Sequence, residues 1–191
     1  MARVLGTILG FCALTLCSAG QSSHVPDQPR ALVSNLYAEV VAKHPLGIPD
    51  GVDRQTFDPY LSKSLLHRLD MYRACTADWQ HKNHDPNVKP PVGLFDNDVF
   101  TGGGDQSAPS MFQVLGSQPE KDGMVAVLVK LGTETPPDKP FVWTVKVLVI
   151  REDGHYRASD IVYLNEQWSA RNTRLSEYLS RGCSGSHWNG Q

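Results

Sequence analysis

The sequence is short of cysteine, of charge of one sign and of long apolar runs, and each shortage narrows what the chain can be. Lys and Arg number 18 against 20 Asp and Glu, a net charge of −2. These charges are mixed along the chain. Without a basic stripe, nucleic acid is excluded as a partner; without a polybasic helix, so is an anionic membrane surface. The N-terminal apolar run, Val4 to Leu16, is about 13 residues, where a bilayer span needs about 20. No later segment reaches that length. Of the four cysteines, only Cys75 and Cys183 lie beyond the first twenty residues. Catalytic signatures are missing too. Neither G-x-S-x-G nor H-E-x-x-H occurs. Gly102-Gly103-Gly104 lacks the Gly-Lys-Ser/Thr ending of a P-loop and the G-x-G-x-x-G spacing of a dinucleotide site. No internal repeat or low-complexity segment is found.

What is present starts with a leader. Met1-Ala2-Arg3, the apolar run and then Ser18-Ala19-Gly20 match the charged start, apolar core and small-residue cleavage site of a secretory signal peptide. Residues 1–20 are therefore expected to be removed near Ala19 or Gly20, which sends the mature chain to the periplasm or outside the cell. A lipoprotein signal through Cys17 is disfavoured by bulky Leu16 before it. The 171 remaining residues carry 17 basic and 20 acidic side chains, net −3, and have the length of one domain. A chain of ~150 residues buries roughly 70% of its unfolded surface, enough for a core without metal or many disulfides. In an oxidising compartment, Cys75 and Cys183 are most simply a disulfide. The rival reading, a reactive thiol, lacks a neighbouring histidine to activate it.

The pattern predicts an α+β domain. Residues 21–30 are expected to be a flexible leader, 31–183 one domain and 184–191 a mobile tail. Leu32, Val33, Leu36, Tyr37, Val40 and Val41 make a helical stripe over 31–43, which His44-Pro45 ends. Residues 46–54 read as a loop. Asp58-Pro59 reads as the cap and first position of a second helix, whose apolar side holds Leu61, Leu65, Leu69, Tyr72 and Thr76 and which fades near His81. Residues 94–100 allow a short strand. Strand patterns follow at 111–117, 124–131, 141–150 and 155–163, and Asp122-Gly123 and Asp153-Gly154 supply hairpin turns. A four-stranded antiparallel meander results. Phe141, Trp143, Val145, Val147 and Val149 share the face expected to meet the helices, and Thr144 and Lys146 mark the wetter one. A last helix is predicted over 169–181, stopped by Gly182.

Four stretches carry a family likeness: ALVSNLYAEV, LSKSLL at the start of the second helix, DVFTGGGDQSAPSMFQV, and GHYRASDIVYLN with LSEYLSRGC. Together they resemble a bacterial exported family known as "domain of unknown function 3828", within the cystatin-like fold of nuclear transport factor 2. The resemblance implies N-terminal helices packed on a curved antiparallel four-stranded meander, with a C-terminal helix, around a conical pocket. Some members of that superfold isomerise, cyclise or dehydrate small molecules with Asp, His or Tyr, and others bind ligands or proteins without chemistry. Fold alone does not choose between them.

Several constellations bear on chemistry. His81, His84 and Asp85 have spacing suited to zinc, but a solvated polar turn is the expected reading, because a site needs further ligands and supporting partners. Asp96, Asn97, Asp98 and Asp105 offer oxygens without the spacing of a calcium loop. Strict alternation places Asp160 on one strand face with Tyr156, Ala158 and Val162. Facing a pocket, Asp160 becomes an acid in apolar surroundings fit for proton transfer; facing outward, it pairs with a nearby Lys or Arg. Tyr37, His67 and Trp143 complete the expected pocket lining with Tyr156 and Asp160. The leading expectation is an exported, non-catalytic module binding a small ligand or a protein, with no cofactor. One form of such a partnership is a homodimer through the sheet. The alternatives are a small-molecule isomerase or cyclase using Asp160 with Tyr156, and an accessory or immunity-type protein blocking a partner with the 82–110 loops near Phe95 and Phe100.

Overall fold

A computed structural model of the chain describes residues 27–83, 98–102, 108–134, 141–164 and 172–189. Helix α1, Gln28–Lys43, buries Val33, Leu36, Tyr37 and Val40, spaced three or four apart so that they form one stripe. It begins inside the expected leader, because Pro29 suits a first helical turn and the Asp27 carbonyl accepts the Ala31 N–H. His44 closes it in the left-handed region, φ 47°. A short α2, Gly51–Phe57, lies within the stretch read as a loop. Asp50 accepts the Gly51 N–H at 2.7 Å, and Phe57 is its one buried residue. A single anchor leaves no periodicity for a sequence pattern to reveal.

The second long helix starts later than Asp58-Pro59 suggests. Residues Asp58–Tyr60 make one 3₁₀ turn, and Leu61 then runs extended and bridges Ala158. Ser62, fully buried, caps α3, Lys63–Lys82, by accepting the Leu65 N–H at 3.2 Å. Leu65, Leu69, Tyr72, Cys75 and Trp79 are its buried face.

Four long strands form the expected meander: β1, Met111–Pro119; β2, Val125–Gly132; β3, Val142–Glu152; and β4, His155–Tyr163. A two-residue β5, Thr173–Arg174, adds to β4, giving an antiparallel sheet in the order β1-β2-β3-β4-β5. Asp153 and Gly154, at φ 49° and 81°, make the two-residue turn between β3 and β4. Trp143, Val145, Val147 and Val149 are buried in the main core with α1 and α3, on the predicted face. On the opposite face, Ala126, Leu148 and Val162 form a small second cluster.

The predicted C-terminal helix is reduced in the described residues to one turn, α4, Leu175–Tyr178, because Thr173 and Arg174 are extended and paired with β4. Of the residues read as a tail, 184–189 are described and lie beside α3. Strands β6, Cys183–Ser184, and β7, His187–Trp188, form a hairpin packed on α3. The Cys75–Cys183 disulfide and the Trp188 N–H donated to Asp78 at 2.9 Å fasten it there. No helix among the described residues is long and apolar enough to cross a membrane.

Candidate functional site

Part of the chain lies in the core between the helices and the sheet. Residues 98–102 form a turn inside the core, where Val99 and Phe100 are fully buried and Asp98 is 5% exposed. Buried backbone needs partners, and long polar side chains reach in to supply them. The Tyr163 hydroxyl donates to the Val99 carbonyl at 2.7 Å, the Tyr37 hydroxyl to the Phe100 carbonyl at 2.6 Å, and the Trp143 indole N–H to the Thr101 carbonyl at 3.1 Å. Asp98 closes the turn from within. Its carbonyl accepts the Gly102 N–H at 2.7 Å, and its carboxylate accepts the Phe100 N–H at 2.8 Å. Gly102, at φ 71°, lies so close to the Tyr163 ring that a Cβ there would sit 2.8 Å from Cδ1.

This arrangement perturbs three acids. Burial pushes the Asp98 carboxyl up to about 7, against the lowering effect of the Phe100 N–H and the Thr101 hydroxyl. Tyr37 and Tyr163 are raised well above their ordinary value, first by burial and then by the nearby Asp98. Sequence reasoning counted Asp98 only among possible calcium oxygens and missed its burial. The signal was Val99-Phe100, an apolar pair directly after an acid and before glycines. The three groups meet in a water-poor interior, but each bonds the turn it supports.

The other expected pocket residues do not converge. A bulge at Ser159 shifts the register between Leu148 and Val149. Ala158 therefore pairs with core residue Val149, while Asp160 pairs with Leu148 of the opposite face. Strict alternation fails at that residue, so Tyr156 and Asp160 lie on different faces. Tyr156 packs partly buried against the main core. Asp160, 7% exposed, accepts the Ser176 hydroxyl at 2.6 Å and the Ser176 and Ile161 N–H groups at 3.1 and 2.9 Å. It thus ties α4 to β4. His81 lies in the last turn of α3, and His84, Asp85, Phe95, Asp96, Asn97 and Asp105 lie outside the described residues. Among the described residues, no three His, Cys, Asp or Glu side chains are placed to hold a metal ion.

His67 belongs to a different place. It is exposed on α3 and lines a surface groove of about 360 Å³ with Ser64, Arg68, Met71, Leu179, Ser180, Cys183 and Gly185. Ser64, His67, Arg68 and Met71 stand at i, i+3, i+4 and i+7, one stripe along the helix. The hairpin and the end of α4 make the facing wall. The sequence held this stripe in plain view, but the second wall depends on where the disulfide pulls the tail.

No protein-family model, curated protein or solved structure matches the chain.

Proposed function

We propose that this is an exported, non-catalytic binding module that takes a small ligand or a protein partner in the groove between α3 and the C-terminal hairpin. The resemblance to the exported "domain of unknown function 3828" family and the signal-like first twenty residues support export. The observation that carries the binding reading is the buried 98–102 turn in the core between the helices and the sheet. Where a pocket-forming fold would hold substrate, the 98–102 turn is packed and its carbonyls are bonded to Tyr37, Trp143 and Tyr163. An enzyme needs ionisable groups aimed at a reacting molecule. Here Asp160 is engaged by Ser176, and Asp98 by its own turn. The groove, by contrast, combines polar and apolar lining on the surface, at the lower end of the volumes that ligand sites have. A disulfide anchors one of its walls.

The test is a fragment screen followed by amide NMR shifts on the oxidised protein spanning residues 21–191. The expected outcome is hits whose shifts cluster at residues 64–71 and 179–185. Shifts centred instead on Tyr37, Asp98 and Tyr163, or turnover of a screened compound that Asp160→Asn abolishes, would replace this reading with an enzymatic one.

A further inference from the structure

We propose that the groove recognises an organic monocarboxylate with a compact apolar body, its carboxylate on Arg68 and its body on Met71, Leu179 and Cys183. The inference rests on the binding reading above and adds the chemistry of the ligand.

Four Lys or Arg residues stand on α3. Lys63 pairs with Asp153, Arg73 with Asp70 at 2.6 Å, and Lys82 with Asp78 at 2.7 Å. Arg68 has no ion pair among the described residues. The helix gives it none: the positions three and four away on either side are Leu65, Ser64, Met71 and Tyr72. Asp70, two residues on, is taken by Arg54 at 3.2 Å and by Arg73. Arg68 therefore presents a guanidinium fork to the groove, with His67 beside it. One such fork matches the two oxygens of a carboxylate in a bidentate pair.

The rest of the lining restricts what is attached to that carboxylate. Met71 and Leu179 offer apolar surface, and the thioether of Met71 adapts its shape to what it meets. The Ser180 hydroxyl donates to the Glu177 carbonyl at 2.8 Å, so it turns lone pairs, not a proton, outward. No described carboxylate lines the groove to repel an anion. At about 360 Å³ there is room for a ring or a short chain, not for a long lipid tail.

The experiment titrates 4-phenylbutyrate and its neutral amide into the oxidised protein, following the Met71 ε-methyl and the amides of 64–71 and 179–185. The carboxylate is expected to give saturable shifts there and to bind about ten-fold or more tightly than the amide, as a charge-assisted pair does. Arg68→Gln is expected to reduce the carboxylate to the level of the amide, and the exposed Arg30→Gln to change nothing. Equal binding of acid and amide, or binding untouched by Arg68→Gln, overturns the carboxylate proposal and leaves the groove as a binding site. Absence of groove shifts with both probes overturns the carboxylate proposal; if the fragment screen also leaves the groove silent, the binding reading falls with it.

Discussion

Replacing Asp98 with asparagine should abolish a pH dependence of stability built into the core. In the fold, burial holds the Asp98 carboxyl at about 7, whereas its ordinary value is 3.8. Between those values the folded protein keeps a proton that the unfolded chain has released. Stability is therefore greatest at the acid end of this window, falls as the pH rises through it, and levels off above about pH 7. About three pH units at ~1.4 kcal/mol each set an upper bound of ~4 kcal/mol. Tyr37 from α1 and Tyr163 from β4 face the same turn, but both are raised well above 10.0 and do not titrate there. Asp78, Glu120 and Asp153 are lowered by hydrogen bonds to Lys82, Lys146 and Lys63. Their stabilisation is lost at still more acid pH and is common to both proteins.

The Asp98→Asn substitution preserves the shape of the turn. The amide oxygen it introduces accepts the Phe100 N–H, and the amide nitrogen donates to the Thr101 hydroxyl. Paired urea titrations of the oxidised proteins at pH 5 and pH 8, read by tryptophan fluorescence, make the comparison. The advantage of the Asp98→Asn protein over wild type should grow by roughly 2–3 kcal/mol from pH 5 to pH 8, because about two of the three pH units lie between those values. Contributions common to both proteins cancel in the difference. A stability difference that is the same at both pH values refutes the reasoning, because Asp98 would then titrate alike in the folded and unfolded chains.

Gly102→Ala should lower stability by about 2–4 kcal/mol in the same urea assay, since the new methyl meets the Tyr163 ring at a positive φ; a loss below about 0.5 kcal/mol would mean the ring moves freely aside. Asp160→Ala strips three donors on Ser176 and Ile161 of their acceptor; a loss of about 2 kcal/mol and faster hydrogen exchange at Ser176 are expected, and unchanged exchange would deny Asp160 its hold on α4. Replacing both Cys75 and Cys183 with serine opens a crosslink across a separation of 108 residues. The chain-entropy account gives a loss of about 4–5 kcal/mol, and calorimetry showing no fall in Tm would contradict it.

The sequence revealed those parts of the fold whose spacing is regular. The stripes of α1 and α3, the four long strands and the Asp153-Gly154 turn each repeat one periodicity over enough residues to be read. So was the inward face of β3, because Trp143, Val145, Val147 and Val149 alternate without interruption. The rest depended on partners distant in the chain. One extra residue at Ser159 moved Asp160 to the other face, and alternation carries no warning of a bulge. Asp58-Pro59 is the stronger local cap signal, yet Ser62 caps the helix, because the extended Leu61 before it is fixed by Ala158, almost a hundred residues away. The tail, polar and rich in glycine, looked loose until Cys183 and Trp188 found Cys75 and Asp78 on α3.

The same distant partners shape the groove on α3. α3 carries two stripes. Leu65, Leu69, Tyr72 and Trp79 point to the core, and Ser64, His67, Arg68 and Met71 line the groove. Cys75 belongs to the buried stripe, three residues beyond Tyr72. The bond it makes fixes the hairpin as a second wall for the groove while closing the core beneath. Inside, four polar side chains among the described residues hold a buried turn. Tyr37, Trp143 and Tyr163 hold its carbonyls, and Asp98 holds its N–H groups. A ligand entering there must displace those bonds and the burial of Val99 and Phe100 together. A ligand in the groove on α3 leaves those bonds intact. The proposed binding site rests on that difference in cost rather than on any single residue.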